Sequence, residues 1–210
     1  MPHHCALIGD IKQSRKLDNW PQVYRTLTRT LDEVNRRFAD DVLIEFKPTV
    51  GDEFQGALKK PDRAYQVYTF IKASLPVAVY CGMGIGEVEK PLQEDVGLRG
   101  TAFYRAREAL ERCKRQQGIL RIKSSDESGR FEDTVNTMLL LIETMENSWT
   151  RRQTEVAHYY RLHPDYTYEK IGEHFGASKQ FVYKILKATH FQVILEAEGQ
   201  ISDWLKEHAQ

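Results

Sequence analysis

Apolar positions follow two rhythms along the chain, and the changes between them lay out the elements. Residues 4–11 (HCALIGDI) form a short apolar run closed by a turn residue, which predicts a buried strand. Trp20, Val23, Leu27, Leu31, Val34 and Phe38 then recur every three or four positions, with Pro21 in the first turn, predicting a long amphipathic helix. Two strands, 42–50 and 53–58, are expected to meet in a tight hairpin at Gly51-Asp52. Pro48 cannot donate to a ladder, so the first of them belongs at an edge or a bulge. Pro61 opens a second helix through Ala64, Val67, Tyr68 and Ile71, and 77–86 reads as another strand. The order βαββαβ predicts an α+β fold of the ferredoxin-like or palm type. A helix over 100–113 and a strand over 118–123 complete it, and the turn-rich 124–129 (SSDESG) marks its end. The expected organisation is a palm-like domain over 1–125, a connector helix within 126–149, and a helix-turn-helix domain over 150–210 that ends in a tail helix.

The stretch 168–187 (YEKIGEHFGASKQFVYKILK) carries the most information about function. Ile171, Phe175, Val182 and Ile185 supply an apolar seam, and Gly176 occupies the turn, where positive φ is needed. Ser178 is placed to cap the second helix, and a bulky side chain at Gly172 would hold the two helices apart. The second helix would then turn Lys179, Gln180, Tyr183, Lys184 and Lys187 outward. Lysines suit phosphates, whereas Ser178, Gln180 and Tyr183 are the candidates for base edges of double-stranded DNA. A single module of this size binds weakly, so a homodimer reading paired half-sites is expected. In the tail, Gly199 is expected to interrupt the helix, with Phe191, Ile194, Ile201 and Leu205 packing locally or against a second subunit.

Composition narrows the partner. With 41% hydrophobic residues in 210, the chain can bury a core, and its 30 basic and 30 acidic residues balance. That balance argues against a nonspecific nucleic-acid coat. The charge is unevenly spread: 151–190 holds seven Lys/Arg against four Asp/Glu, and 191–210 one Lys against four acids. A basic island in a neutral chain fits a specific reader. Cys5, Cys81 and Cys113 are scattered outside metal spacing, no apolar run is long enough to span a membrane, and the N-terminus lacks a signal-peptide pattern. A cytoplasmic protein is expected. His158, His163 and His174 lack ligand spacing and are expected near the surface.

Two carboxylates raise a second possibility. Asp10 ends the first strand and Asp52 sits in the hairpin, so a palm sheet would place both at one rim, where they could hold Mg²⁺ beside phosphates. Glu53 is expected to face the other way by the strand pleat. Lys12, Arg99 and Arg105 are the candidate cations for a nucleotide's phosphates. The basic run from Arg105 to Arg115, interleaved with Glu108 and Glu111, is expected to be a solvated face.

Gly9-Asp10-Ile11 and Gly51-Asp52 resemble the two metal-aspartate motifs of class III nucleotide cyclases, and 82–86 and 100–110 resemble their later glycine strand and helix. Where those enzymes carry a base-selecting lysine this chain has Pro48. Their ribose-orienting asparagine and transition-state arginine align with Tyr104 and Glu108. The resemblance therefore implies a nucleotide-sensing domain ahead of a catalyst, a glutamate being unable to stabilise an anionic transition state. A metal-dependent nucleotide-binding or nucleotidyl-transfer enzyme using Asp10 and Asp52 is the alternative. Over most of its length, from ALIGDIKQSRK through TVGDEFQGAL to the helix-turn-helix, the chain resembles the SatD family. That resemblance implies a cytoplasmic bacterial protein with a DNA-binding end.

Overall fold

The apolar run at the N-terminus becomes the middle strand of a five-stranded sheet in the computed structural model, which describes residues 3–89, 98–116, 118–125 and 129–207. Strand β1 (His4–Ile11) leads into α1 (Trp20–Arg37), then into the hairpin of β2 (Val42–Pro48) and β3 (Glu53–Leu58). Next come α2 (Ala64–Ser74), β4 (Val79–Gly86), α3 (Thr101–Gln116) and β5 (Leu120–Lys123). The strands lie in the order β2-β3-β1-β4-β5, antiparallel except for the parallel β4–β5 pair. This is the α+β arrangement expected from the sequence. Proline-bearing β2 lies at the edge, where a missing donor costs no ladder bond, and its register shifts twice ahead of Lys47.

The pleat divides β1 between two layers. Cys5, Leu7 and Ile11 face the larger core, with Leu27 and Leu31 of α1 and Val67 and Ile71 of α2. Ala6 and Ile8 face α3, which packs on them through Ala102, Phe103, Ala106 and Leu110. The helix comes so close because β4 carries glycines beneath it: a Cβ at Gly84 would stand 2.0 Å from the Ala102 carbonyl oxygen. One at Gly82 would stand 2.1 Å from that of Ala106.

An all-helical region follows, with α4 (Arg130–Asn147), α5 (Arg151–Leu162), α6 (Tyr168–His174), α7 (Lys179–Ala188) and α8 (Phe191–Glu207). Thr150 and Gln153 start α5 with a reciprocal capping box. Contrary to expectation, Gly199 does not interrupt the tail, since α8 runs unbroken through it. Its apolar stripe explains why: Ile194, Ile201 and Leu205 are buried in the same core as β1, with Val135, Leu139 and Ile142 of α4. Tertiary burial outweighs the helix penalty of one glycine, which is about 1 kcal/mol.

A buried charge cluster ties these helices together. The Arg161 guanidinium donates from Nη2 to Glu146 Oε1 at 2.7 Å and to Glu198 Oε1 at 2.6 Å. Lys72 of α2 pairs with Glu146, and the Tyr65 hydroxyl donates to Glu198 at 3.2 Å. Burial opposes the charge on Glu146, but Lys72 and Arg161 together hold its carboxyl below the usual range. On Glu198 burial wins over Arg161 and the carboxyl is raised. Among the described residues, no helix is long and apolar enough to cross a membrane.

Candidate functional site

The helix-turn-helix forms for the local reasons that its sequence contains. Thr167 and Ser178 cap α6 and α7, each side-chain oxygen accepting from a backbone N–H three residues on. Gly176 has φ of 61° in the turn. A Cβ at Gly172 would approach the Ala177 carbonyl oxygen to 2.4 Å, so only glycine allows this crossing. Val182 and Leu186 point into a small core with Ile171, Val156, Ala157 and Phe191. On the opposite side of α7, Lys179, Gln180, Tyr183, Lys184 and Lys187 are all exposed. Ser178 is exposed as well, although its hydroxyl oxygen is engaged as the cap, accepting from the Phe181 N–H at 3.2 Å. Lys179 pairs with Glu169 of α6 at 2.8 Å, a fully solvated contact of little energetic weight. Lys184 has no such carboxylate among the described residues, and Lys187 lies 5.9 Å from the Tyr183 ring.

Sequence reasoning overlooked Arg152. Its guanidinium donates to the Phe175 carbonyl oxygen at 2.9 Å and stacks over the Phe175 and Phe181 rings. It thereby locks α5 to both ends of the turn. His174 is exposed and His163 half-buried, as expected near the surface, and each stacks on a tyrosine: His174 on Tyr159 at 3.9 Å and His163 on Tyr166 at 4.6 Å.

The carboxylates of the sheet sit at one rim, but with different partners from those expected. Asp10 pairs across the ladder with Glu53, and directly paired residues share a face of the sheet. Glu53 therefore lies on the Asp10 side, a correction to the pleat expectation. Lys114 of α3 reaches over both, 2.9 Å from Asp10 Oδ2 and 3.8 Å from Glu53 Oε1. Arg107, two turns earlier, donates to both oxygens of Glu53 at 2.7 and 2.8 Å. These contacts correct the reading of 105–115 as a purely solvated face. Asp52 turns to the hairpin and accepts a hydrogen bond from the Ser14 hydroxyl, beside a shallow hollow formed with Arg15, Leu17 and Trp20.

Burial raises the Asp10 carboxyl above its ordinary range; Lys114 offsets this in part, and Asp52 and Glu53 add to it. Burial acts against the Lys114 ammonium too, yet Asp10, Glu111 and Glu53 together raise it. Lys12 stands near this rim with its ammonium 5.3 Å from the Tyr80 ring. Arg105 and Arg99 do not. Arg105 donates to the Ile85 carbonyl oxygen at 2.6 Å, and Ile85 pairs with Cys5 at the far end of β1. Arg99 is exposed in a bridge to Glu89 beyond the end of β4. Among the described residues, no group of three or more His, Cys, Asp and Glu stands ready to hold a metal ion. Lys114 already pairs with Asp10, so a Mg²⁺ ion bound at this rim would have to displace that ammonium.

A five-stranded α+β sheet unit continued by an all-helical region defines the class of protein. The chain belongs to the SatD family, whose sequence profile matches residues 4–205. Among solved structures, it is similar to a bacterial light-regulated adenylyl cyclase at 15% identity, covering 58% of this chain and 75% of that one with a TM-score of 0.40. A second structure of a bacterial light-regulated adenylyl cyclase is similar at 14% identity, covering 58% of this chain and 42% of that one, TM-score 0.43. No curated protein matches the sequence.

Proposed function

We propose that this SatD-family protein is a DNA-binding regulator that reads a duplex through α7 and acts as a homodimer. The observation that carries the proposal is the open outer face of α7, where Lys179, Gln180, Tyr183, Lys184 and Lys187 meet solvent while the helix packs on α5, α6 and α8. In this reading Lys179, Lys184 and Lys187 contact phosphates, while Gln180 and Tyr183 meet base edges. Ser178 fixes the helix start and brings the positive end of its dipole toward the backbone. The sheet domain is the sensing part.

Fluorescence anisotropy with a selected duplex and a scrambled one tests this. Lys184→Ala is expected to weaken both equally and to reduce the salt slope by about 1. Gln180→Ala is expected to lower preference for the selected duplex, by about 1–3 kcal/mol if its contact is bidentate. Salt-independent or absent binding by the unaltered chain would overturn the proposal. The alternative, nucleotide and Mg²⁺ binding at Asp10 and Asp52, is favoured by one feature only: a raised carboxyl held beside two further acids.

A further inference from the structure

A cleft of about 780 Å³ opens where the sheet meets the helical region. One side is the segment joining α2 to β4, including Leu75 and Val77; the other is α5 and the end of α6, with Tyr159, Leu162 and Phe175, and Trp149 lines it too. Ligand sites are concave, mostly apolar, roughly 300–1,000 Å³ in volume, and frequent at such junctions. Of the polar side chains that enter this lining from α5, Arg151 and Glu155 pair with each other, which leaves Thr154 and His158. Thr154 is satisfied locally, donating to the Thr150 carbonyl oxygen at 3.2 Å.

His158 is different. Among the described residues its ring forms no hydrogen bond, yet its nitrogens are not sealed in, since the one buried polar side-chain atom without a partner is Arg161 Nε. Burial first, then the charges of Arg161 and Lys72, lower its pKa to about 4, with Glu146 opposing. At neutral pH the imidazole is therefore uncharged, and it offers one donor and one acceptor to whatever enters the cleft. The cations around it are already matched, Lys72 to Glu146 and Arg151 to Glu155. Nothing in that arrangement calls for an anion.

We propose that this cleft is a binding site for an uncharged, largely aromatic small molecule, held between Trp149, Tyr159 and Phe175 and hydrogen-bonded to His158. Such a ligand bridges Val77 of the sheet unit and Phe175, the residue that precedes the Gly176 turn. Its occupancy therefore bears on how α6 and α7 sit against the sheet. That consequence rests on the DNA-binding reading; the binding itself does not.

Titration of the full-length protein with indole and 2-naphthol, followed by NMR of the His158 ring protons without DNA, tests the site. A saturable shift at His158 is expected, with affinity about tenfold lower in His158→Gln, which keeps one polar group but loses the ring geometry. Thr154→Phe fills the cleft from a half-exposed position and is expected to abolish the shift while leaving the melting temperature close to that of the unaltered protein. Absence of a saturable shift, or equal binding by Thr154→Phe, overturns the proposal. Either result leaves the DNA measurements above standing by themselves.

Discussion

Lys114 decides what the acidic rim can do. Its ammonium lies against Asp10 and near Glu53, so the carboxylates are neutralised by the protein's own cation. Replacing it with methionine keeps the stem that packs on the sheet and removes the charge. Asp10, already above its usual range, then rises further. An acid with a higher pKa folded than unfolded holds its proton more tightly in the folded state. Stability is therefore gained as pH falls through the folded value and lost as pH rises through it. Lys114→Met is expected to melt below the unaltered protein at about pH 7, and the gap should narrow at about pH 5. If the carboxylates can hold an ion once the ammonium is gone, Mg²⁺ at neutral pH will narrow it too. An equal Mg²⁺ response from both proteins would sink the metal reading, and a gap unchanged by pH would sink the electrostatic account. Sequence alone could not supply Lys114, because the contact depends on where α3 crosses β1 and β3. Ser178 and Gly172 were legible, their roles being fixed by neighbours within six residues.

At the scale of elements, helices were read correctly where one stripe of apolar residues sufficed, as in α1. Two glycines show where that reading stopped. Gly84 reads from sequence only as part of a glycine-rich strand, yet it is the seat of α3; a methyl there meets the Ala102 carbonyl oxygen at 2.0 Å. Backbone cannot move aside cheaply, so Gly84→Ala is expected to destabilise by about 1–3 kcal/mol or more, as overpacking does. Gly199 is the reverse case. It is exposed in the middle of α8, and an added Cβ meets nothing within 4 Å. Gly199→Ala is expected to stabilise by about 0.5–1 kcal/mol through helix propensity. Urea titrations of the two variants check both signs, and a stabilised Gly84→Ala would mean that α3 does not lie on β4 as described. The glycine's meaning depends on what stands opposite its missing side chain, and local sequence contains no record of that.

At the scale of the whole molecule, the tail belongs to the core and is no appendage. Phe191 packs with the helix-turn-helix, whereas Ile194, Ile201 and Leu205 enter the sheet's main core. Fully burying each such side chain contributes about 1.5–3 kcal/mol, so the four together account for roughly 6–12 kcal/mol as an upper figure. A domain's net stability is only about 5–15 kcal/mol. Glu198 adds a second dependence, for without it Arg161 keeps Glu146 alone, which Lys72 also uses. A chain ending at His190 is therefore expected to lose cooperative melting altogether, in the sheet as well as in the helices. The milder Ile201→Ala is expected to lower stability by about 2–5 kcal/mol, in the range of buried aliphatic truncations. Because Ile201 touches the sheet's core while Glu198 on the same helix holds α5, both regions should respond together. Amide hydrogen exchange of β1 and of α7 measures this directly: comparable losses of protection in both are the expected result. Loss confined to α7, with β1 unaffected, would show that the sheet folds without its tail and would overturn the view that α8 completes the sheet's larger core.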